Sequence, residues 1–242
     1  MRSLPFSKPF VLSTKRIGPH NYDLLCLLMG SLLGDATMDK DGNGSRFCFY
    51  QESIHQEYLL WLHKTLFDLG YCKPDIPQIL TRSGVNGKIR YYCRFKTFTF
   101  SSFNWIYDSF YVSSFAPSFD EGAGGGHKPP RNVRRKIVPS FIGEFLSPLA
   151  LAVWILDDGC KIPNKGIRFS TNAFSLNEVK FLSQIFKEKY NFNTTIHKTG
   201  DINQYNIYVT KESTIKLSSI VKPYIHPTMY YKIYNINSKD KG

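Results

Sequence analysis

Two stretches of the chain are apolar around the whole helical circumference instead of along one face: LLCLLMGSLLGDA, Leu24 to Ala36, and SPLALAVWILDDG, Ser147 to Gly159. Apolarity of that kind predicts helices packed on every side. Ser147 is placed to cap the second helix, Pro148 to fill its first turn and Gly159 to end it as a C′ glycine. The uncharged run Leu24 to Gly34 is about half of the ~20 residues a bilayer crossing needs, so it predicts a buried helix and no membrane span.

After each apolar helix the same pattern follows. Asp39 to Ser45 predicts a turn, Arg46 to Gln51 a short alternating strand and Ile54 to Gly70 a helix; Lys161 to Gly166, Ile167 to Asn172 and Leu176 to Tyr190 predict that series again. Ser53 with Gln56 and Ser175 with Glu178 are capping-box pairs at matching places. A hairpin turn follows in each half, Ser83 to Gly87 and Gly200 to Asn203, and then a closing helix, Ser102 to Tyr111 and Lys211 to Val221. The predicted fold class is α+β, an internal duplication with a period of about 123 residues from Asp35 to Asp158. Its segments are an N-terminal arm (1–20), a first half (21–112), a linker or insertion with a basic segment (113–145) and a second half (146–242). Residues Ser113 to Pro130 are rich in Gly, Pro and Ser and predict a mobile linker. Their GAGGGHK run lacks the G-K-[ST] of a phosphate loop.

Charge changes the picture. Lys and Arg number 31 against 19 acidic residues, a net +12, which suits a polyanionic partner better than a small neutral substrate. The five cysteines have no C-x-x-C pair and the six histidines no H-x-x-x-H, which speaks against a zinc site and for free thiols in a reducing compartment. No signal peptide is legible at the N-terminus. The strand KIRYYCRFK alternates so that Lys88, Arg90, Tyr92, Arg94 and Lys96 share a face with no acidic residue in the row. Phosphates or base edges would relieve that repulsion. Arg46, Cys48 and Tyr50 share a face in one half, Arg168, Ser170 and Asn172 in the other, and Arg82, His197, Lys198, Asn203, Gln204 and Asn206 are further binding candidates.

Both apolar helices end in carboxylates, Asp35 in the first and Asp157 with Asp158 in the second. A negative side chain there opposes the helix macrodipole at a cost of about 0.3–1 kcal/mol, so stability gives no reason for it. If the helices pack side by side, Asp35 and Asp158 meet in a hard oxygen site suited to Mg²⁺, and Gly30 and Gly34 would let the backbones approach.

LMGSLLGDA (Leu28 to Ala36) and LAVWILDDG (Leu151 to Gly159) resemble the paired signature of the LAGLIDADG homing endonucleases in their two-motif, single-chain form. That resemblance spans nearly the whole chain. It implies two pseudo-symmetric αββαββα halves packed through the motif helices, each laying a four-stranded antiparallel sheet along the major groove. It implies Asp35 and Asp158 as metal ligands, with backbone carbonyls of Gly34 and Asp157 beside them. Lys136 and Lys232, each followed by Ile, look like the family's active-site lysines, and Gln51 and Asn172 like its water-positioning amides. The second motif departs from the pattern, with Val153 and Asp157 where the first has Gly30 and Gly34, which predicts asymmetric packing and half-sites of unequal activity.

The implied activity is that of a monomeric, Mg²⁺-dependent endonuclease cutting double-stranded DNA at a long asymmetric target and leaving 3′ overhangs, with Mn²⁺ or Ca²⁺ able to support binding. Two alternatives share the scaffold: a maturase acting on intron RNA and a non-catalytic sequence-specific DNA-binding protein. The Lys-, Asn-, Ile-, Tyr- and Phe-rich composition suits an organellar genome, mitochondrial before chloroplast.

Overall fold

In the first half, α1 (Tyr22–Leu33) leads to β1 (Thr37–Asp41) and β2 (Gly44–Glu52), then α2 (Gln56–Asp68), β3 (Leu80–Ser83), β4 (Ile89–Lys96) and α3 (Asn104–Phe110). Strands β5 (Tyr111–Ala116) and β6 (Arg131–Lys136) and the short α4 (Ile142–Phe145) connect it onward. The second half holds α5 (Pro148–Asp158), β7 (Gly159–Ile162), β8 (Gly166–Ser170), α6 (Leu176–Tyr190), β9 (Thr194–Lys198), β10 (Tyr205–Thr210) and α7 (Lys211–Val221). The computed structural model describes residues 11–84, 87–116, 131–200 and 202–234. The run GAGGGHK lies outside them.

Each half forms one antiparallel sheet, in the orders β1-β2-β4-β3 and β7-β8-β10-β9, which is the duplicated α+β architecture expected. Alternation decides the faces. In β2 the side chains of Phe47, Phe49 and Gln51 are buried toward the helices while Arg46, Cys48 and Tyr50 face outward. In β8 Ile167 and Phe169 are buried and Arg168 and Ser170 face outward. One face of each sheet is thus core and the other is available to a partner.

The centre is the pair α1 and α5. Nine of the twelve residues of α1 and seven of the eleven of α5 are buried, so all-round apolarity does report helices enclosed on all sides. They touch at backbone distance. A β-carbon on Gly30 would lie 2.4 Å from the Ala150 carbonyl oxygen, and one on Gly34 would lie 2.5 Å from the Asp157 β-carbon. Among the described residues no helix is long and apolar enough to cross a membrane. All five cysteines are free.

Four expectations change. Residues 11–20 of the arm lie against the first half: Arg16 is 6 % exposed, donates to the Thr99 carbonyl at 3.0 Å and stacks over Phe98 at 4.7 Å. Ser53 and Gln56 form no capping box, because Ser53 to His55 make a 3-10 turn whose backbone closes on itself; Ser175 and Glu178 do form one. Gly159 is extended, with φ −78° and ψ 143°, and needs to be glycine for space: a β-carbon would meet the Ile155 carbonyl at 2.6 Å. Part of the linker is ordered, since Tyr111 to Ala116 pairs with Arg131 to Lys136 as an antiparallel ribbon.

Gly30→Ala tests the central contact. Alanine is favoured over glycine inside a helix by about 0.8–1 kcal/mol, whereas overpacking costs about 1–3 kcal/mol. Urea unfolding is expected to show net destabilisation; a gain in stability would mean that the helices do not touch there.

Candidate active site and nucleic-acid interface

Because α1 and α5 run side by side, their carboxyl ends deliver three aspartates to one place. Gly34 ends α1 with its N–H shared between the Gly30 and Ser31 carbonyls, and Asp35 follows, exposed. Gln51, on the buried face of β2 and 5 % exposed, donates its amide to Asp35 Oδ2 at 2.8 Å and to Asp157 Oδ1 at 3.1 Å. The Asp35 N–H points at Asp157 Oδ2, 3.4 Å away. Burial, and then the charges of Asp35 and Asp158, hold the Asp157 carboxyl well above the usual carboxylate range. Burial, reinforced by Asp35, raises Asp158 to about 7 against the opposing pull of Lys136 and Lys232. The fully buried Tyr58 hydroxyl faces Asp157 without a well-formed hydrogen bond, and burial pushes it well above the ordinary tyrosine range.

Each motif helix carries an ammonium on its carbonyl end. Lys136 Nζ donates to the carbonyls of Gly34 at 3.0 Å and Ala36 at 2.8 Å. Lys232 Nζ donates to Ile155 at 3.2 Å, Asp157 at 3.1 Å and Leu156. The Lys232 partners are orphan carbonyls of the last turn of α5 and the Lys136 partners lie at and just past the C-cap of α1, both places where the macrodipole favours a cation. Burial lowers both lysines, opposed by the aspartates around them.

The lysines bear on how a metal would be held. The Gly34 and Asp157 carbonyls each accept from an ammonium group and keep a second lone pair, while the Asp35 and Asp158 carboxylates are the charged donors for a divalent cation. Their chemistry fits: hard oxygens, crowded enough to raise Asp158, which a cation would relieve. Among the described residues no three acidic, histidine or cysteine groups converge on a metal position. Water and substrate oxygens would complete the shell, as Mg²⁺ accepts readily.

The amide expectations divide. Gln51 reaches the carboxylates, but Asn172 is exposed in a turn. Strand register explains this. Thr37 and Cys160, each two residues after its motif aspartate, pair with Cys48 and Arg168, which aligns Phe49 with Phe169 and makes Thr171 the counterpart of Gln51. Thr171 gives its hydroxyl to the Tyr205 carbonyl at 2.6 Å. His55 also lies at this site, held low by burial and by nearby Lys232 while Asp35 pulls it upward. Nothing in its local pattern marks it, since the fold alone brings it there.

On the outer face of the first sheet, Arg46, Cys48, Tyr50, Tyr92, Arg94 and Lys96 lie together, Cys48 opposite Lys96 and Tyr50 opposite Arg94, while Arg82 pairs with Arg90 in the outer hairpin. Tyr50 and Tyr92 stack at 5.0 Å with the Arg82 guanidinium 5.1 Å above Tyr50. Within the row only Lys96 has an acid, Asp39 at 2.8 Å, among the described residues; on the neighbouring strands Arg82 meets Glu52 at 2.8 Å and Arg46 meets Asp41 at 2.9 Å. Cys48 donates to Asp39 at 3.2 Å, and burial lifts its thiol to about 11. Lys88 stands exposed just before β4, and Ile89 and Tyr91 are exposed although alternation assigns them inward, because this hairpin extends past the core.

In the second sheet Arg168 and Ser170 share the outer face with Tyr208 and His197, whose rings meet at 4.6 Å. The alternation of β10 puts Tyr208 on this outer face, opposite Arg168. Asn206 is 8 % exposed and accepts from the Thr171 N–H at 3.4 Å, a brace within the sheet. Lys198 pairs with Tyr205 in the helix-facing register, so alternation turns it away from the outer face. Asn203 and Gln204 lie in the β9–β10 turn, Asn203 with φ 60°.

The LAGLIDADG DNA endonuclease family model matches residues 25–119 and 127–217. The chain is 43% identical over 219 residues to the cytochrome b mRNA maturase bI2 of Debaryomyces hansenii, covering 90% of this chain and 76% of that protein. It is 44% identical to its namesake in Saccharomyces cerevisiae, covering 90% of this chain but only 49% of that longer protein. It is 35% identical to the intron-encoded endonuclease ai4 of Dictyostelium discoideum, covering 68% and 92%. The fold matches that of the homing endonuclease I-WcaI bound to its DNA recognition sequence, with TM-score 0.73, 22% identity and 94% of each chain covered.

Asp158 gives the metal-free protein a pH dependence. Its folded value of about 7 lies above the ordinary 3.8, so the folded state holds a proton the unfolded state releases. Its contribution is complete below about pH 4 and declines as pH rises to about 7. Denaturation in chelator is expected to show stability falling across that window, with a shallower fall for Asp158→Asn; identical slopes would contradict the crowding of these carboxylates.

Proposed function

We propose, from the premise that the chain belongs to the LAGLIDADG DNA endonuclease family, that it is a monomeric homing endonuclease cutting both strands of a long, asymmetric DNA target with Mg²⁺ and leaving 3′ overhangs. The observation that carries this reading is the convergence of Asp35 and Asp158 at the junction of two cation-bearing sheets, each beside a lysine on its helix end.

The outer sheet faces fit the two arms of such a target. A major groove about 12 Å wide admits a two-stranded β-ribbon. Arg46, Arg82, Arg90, Arg94, Lys96 and Arg168 would meet phosphates or guanine edges, and Tyr50, Tyr92 and Tyr208 would pack on the bases. With the duplex so held, the junction of the halves faces the scissile phosphates. Lys136 and Lys232 place positive charge beside the phosphoryl oxygens as negative charge builds there. Gln51, with its amide N–H groups directed to the carboxylates, keeps its carbonyl oxygen to orient a water. Bound Mg²⁺ would activate the attacking water and stabilise the leaving 3′ oxygen. The relatives named for cytochrome b mRNA support an organellar, mitochondrial setting.

A second reading has its own observation: two relatives at 43% and 44% identity are named as mRNA maturases. On it, the same scaffold binds intron RNA and promotes splicing.

Purified chain with Mg²⁺ and the host locus without its intervening sequence tests both. Linearisation is expected, with Asp35→Asn and Asp158→Asn each slowing it by at least roughly 100-fold. Absence of cutting by the wild type, or full cutting by both variants, would exclude the nuclease. Splicing of the host transcript that survives both substitutions would establish the maturase reading.

A further inference from the structure

The two halves are not equivalent at their junction, and one side chain makes the difference. In the paired motifs Asp157 stands where the first half has Gly34. A β-carbon on Gly34 would lie 2.6 Å from Asp157 Oδ2, so the missing side chain of one half is the space occupied by the carboxylate of the other. Asp157 thereby crosses into the first half. It accepts from Gln51 at 3.1 Å and faces the Asp35 N–H at 3.4 Å. Gln51 in turn holds the Asp35 carboxylate at 2.8 Å. Asp35 is thus braced at its amide and, through Gln51, at its carboxylate.

Among the described residues no side chain of the first half makes the corresponding contact to Asp158. Gly34 has no side chain to offer, and Thr171, the counterpart of Gln51, spends its hydroxyl within its own sheet on Tyr205. Among the described residues the Asp158 side chain makes no hydrogen bond, while Lys136 and Lys232 serve the two helix ends alike. Stability does not call for Asp157: a third carboxylate enclosed beside two others is unfavourable, and an apolar residue would pack without that penalty. Its use is in what it holds.

We propose that Asp157 is a positioning residue acting in trans between the halves, fixing Gln51 and Asp35, so that the two DNA strands are cut by differently organised centres and at unequal rates. The proposal rests on the nuclease reading above and concerns how that activity is divided.

Strand-resolved single-turnover cleavage of an end-labelled duplex target with Mg²⁺ tests it, using wild type, Asp157→Ala, Asp157→Asn, Gln51→Ala and the Asp157→Ala/Gln51→Ala double variant. Target affinity without metal and melting temperature are measured on the same proteins. Wild type is expected to pass through a nicked intermediate of one polarity. Asp157→Ala should slow one strand by about 10-fold or more, as loss of an outer-shell brace does, and leave the other and the target affinity near wild type. Asp157→Asn keeps the volume and the acceptor for Gln51 and should restore most of the wild-type strand ratio. The double variant should be no slower than the slower single one, because both act through one contact. Equal slowing of both strands, an unchanged ratio or multiplicative effects of the two substitutions would overturn the proposal and leave the nuclease standing. A wild type that cuts neither strand would overturn both.

Discussion

The structure depends on how closely α1 and α5 approach. Gly30 lies on the backbone of Ala150 and Gly34 on the side chain of Asp157, a contact that leaves no room for a β-carbon at either glycine. Apolar side chains on every other side of both helices drive this packing. The approach brings two helix carboxyl ends and three aspartates together, an arrangement that is electrostatically unfavourable in itself. Hydrophobic burial along the helices must therefore hold together ends that repel. The two lysines relieve part of that repulsion by sitting on the carbonyls, which leaves the carboxylates, two of them held by Gln51, without an ion pair among the described residues.

The sheets take their positions from the same pair. β1 follows α1 after three residues, Asp35 among them, and β7 follows α5 directly after Asp158, so the outer faces are fixed relative to the carboxylates by a very short tether. Some cations on the first of those faces have acids beside them, Lys96 with Asp39, Arg82 with Glu52 and Arg46 with Asp41. Exposed pairs of this kind are worth about 0–1 kcal/mol. They keep the free face from repelling itself and yield readily to a phosphate, so the pairing is compatible with nucleic-acid binding.

Much of this was legible in the residues. The motif helices announced themselves by apolarity without a polar face, and α6 and α7 begin and end at the residues that capping and periodicity select. Other features were not. Ser53 and Gln56 have the spacing of a capping box, yet the backbone closes a 3-10 turn there first, a competition that local sequence does not decide. The alignment of Gln51 with Thr171 depends on strand register, set by hairpin lengths that differ between the halves. Arg16 lies in the N-terminal arm, where no local pattern marks it; its guanidinium finds a buried carbonyl and a phenylalanine face that only the folded chain assembles. The acid that meets the cationic strand, Asp39 beside Lys96, was invisible for a similar reason, since it comes from β1.

The duplication explains both the likeness and the difference of the halves. Lys136 comes from the end of a β-ribbon and Lys232 from a 3-10 turn after α7, so the two ammonium groups reach equivalent places from elements that are not repeats of each other. What is equivalent is the demand, a cation on the carbonyl end of a helix whose neighbours are carboxylates. Where the demand is purely electrostatic, different local structures can meet it. Where it is steric, as between Gly34 and Asp157, only one half can supply the side chain, because two would occupy the same space. A pseudo-twofold axis that passes through a contact this tight cannot remain symmetric once either side acquires a side chain. The asymmetry at the centre of this molecule therefore follows from the same close packing that creates the site.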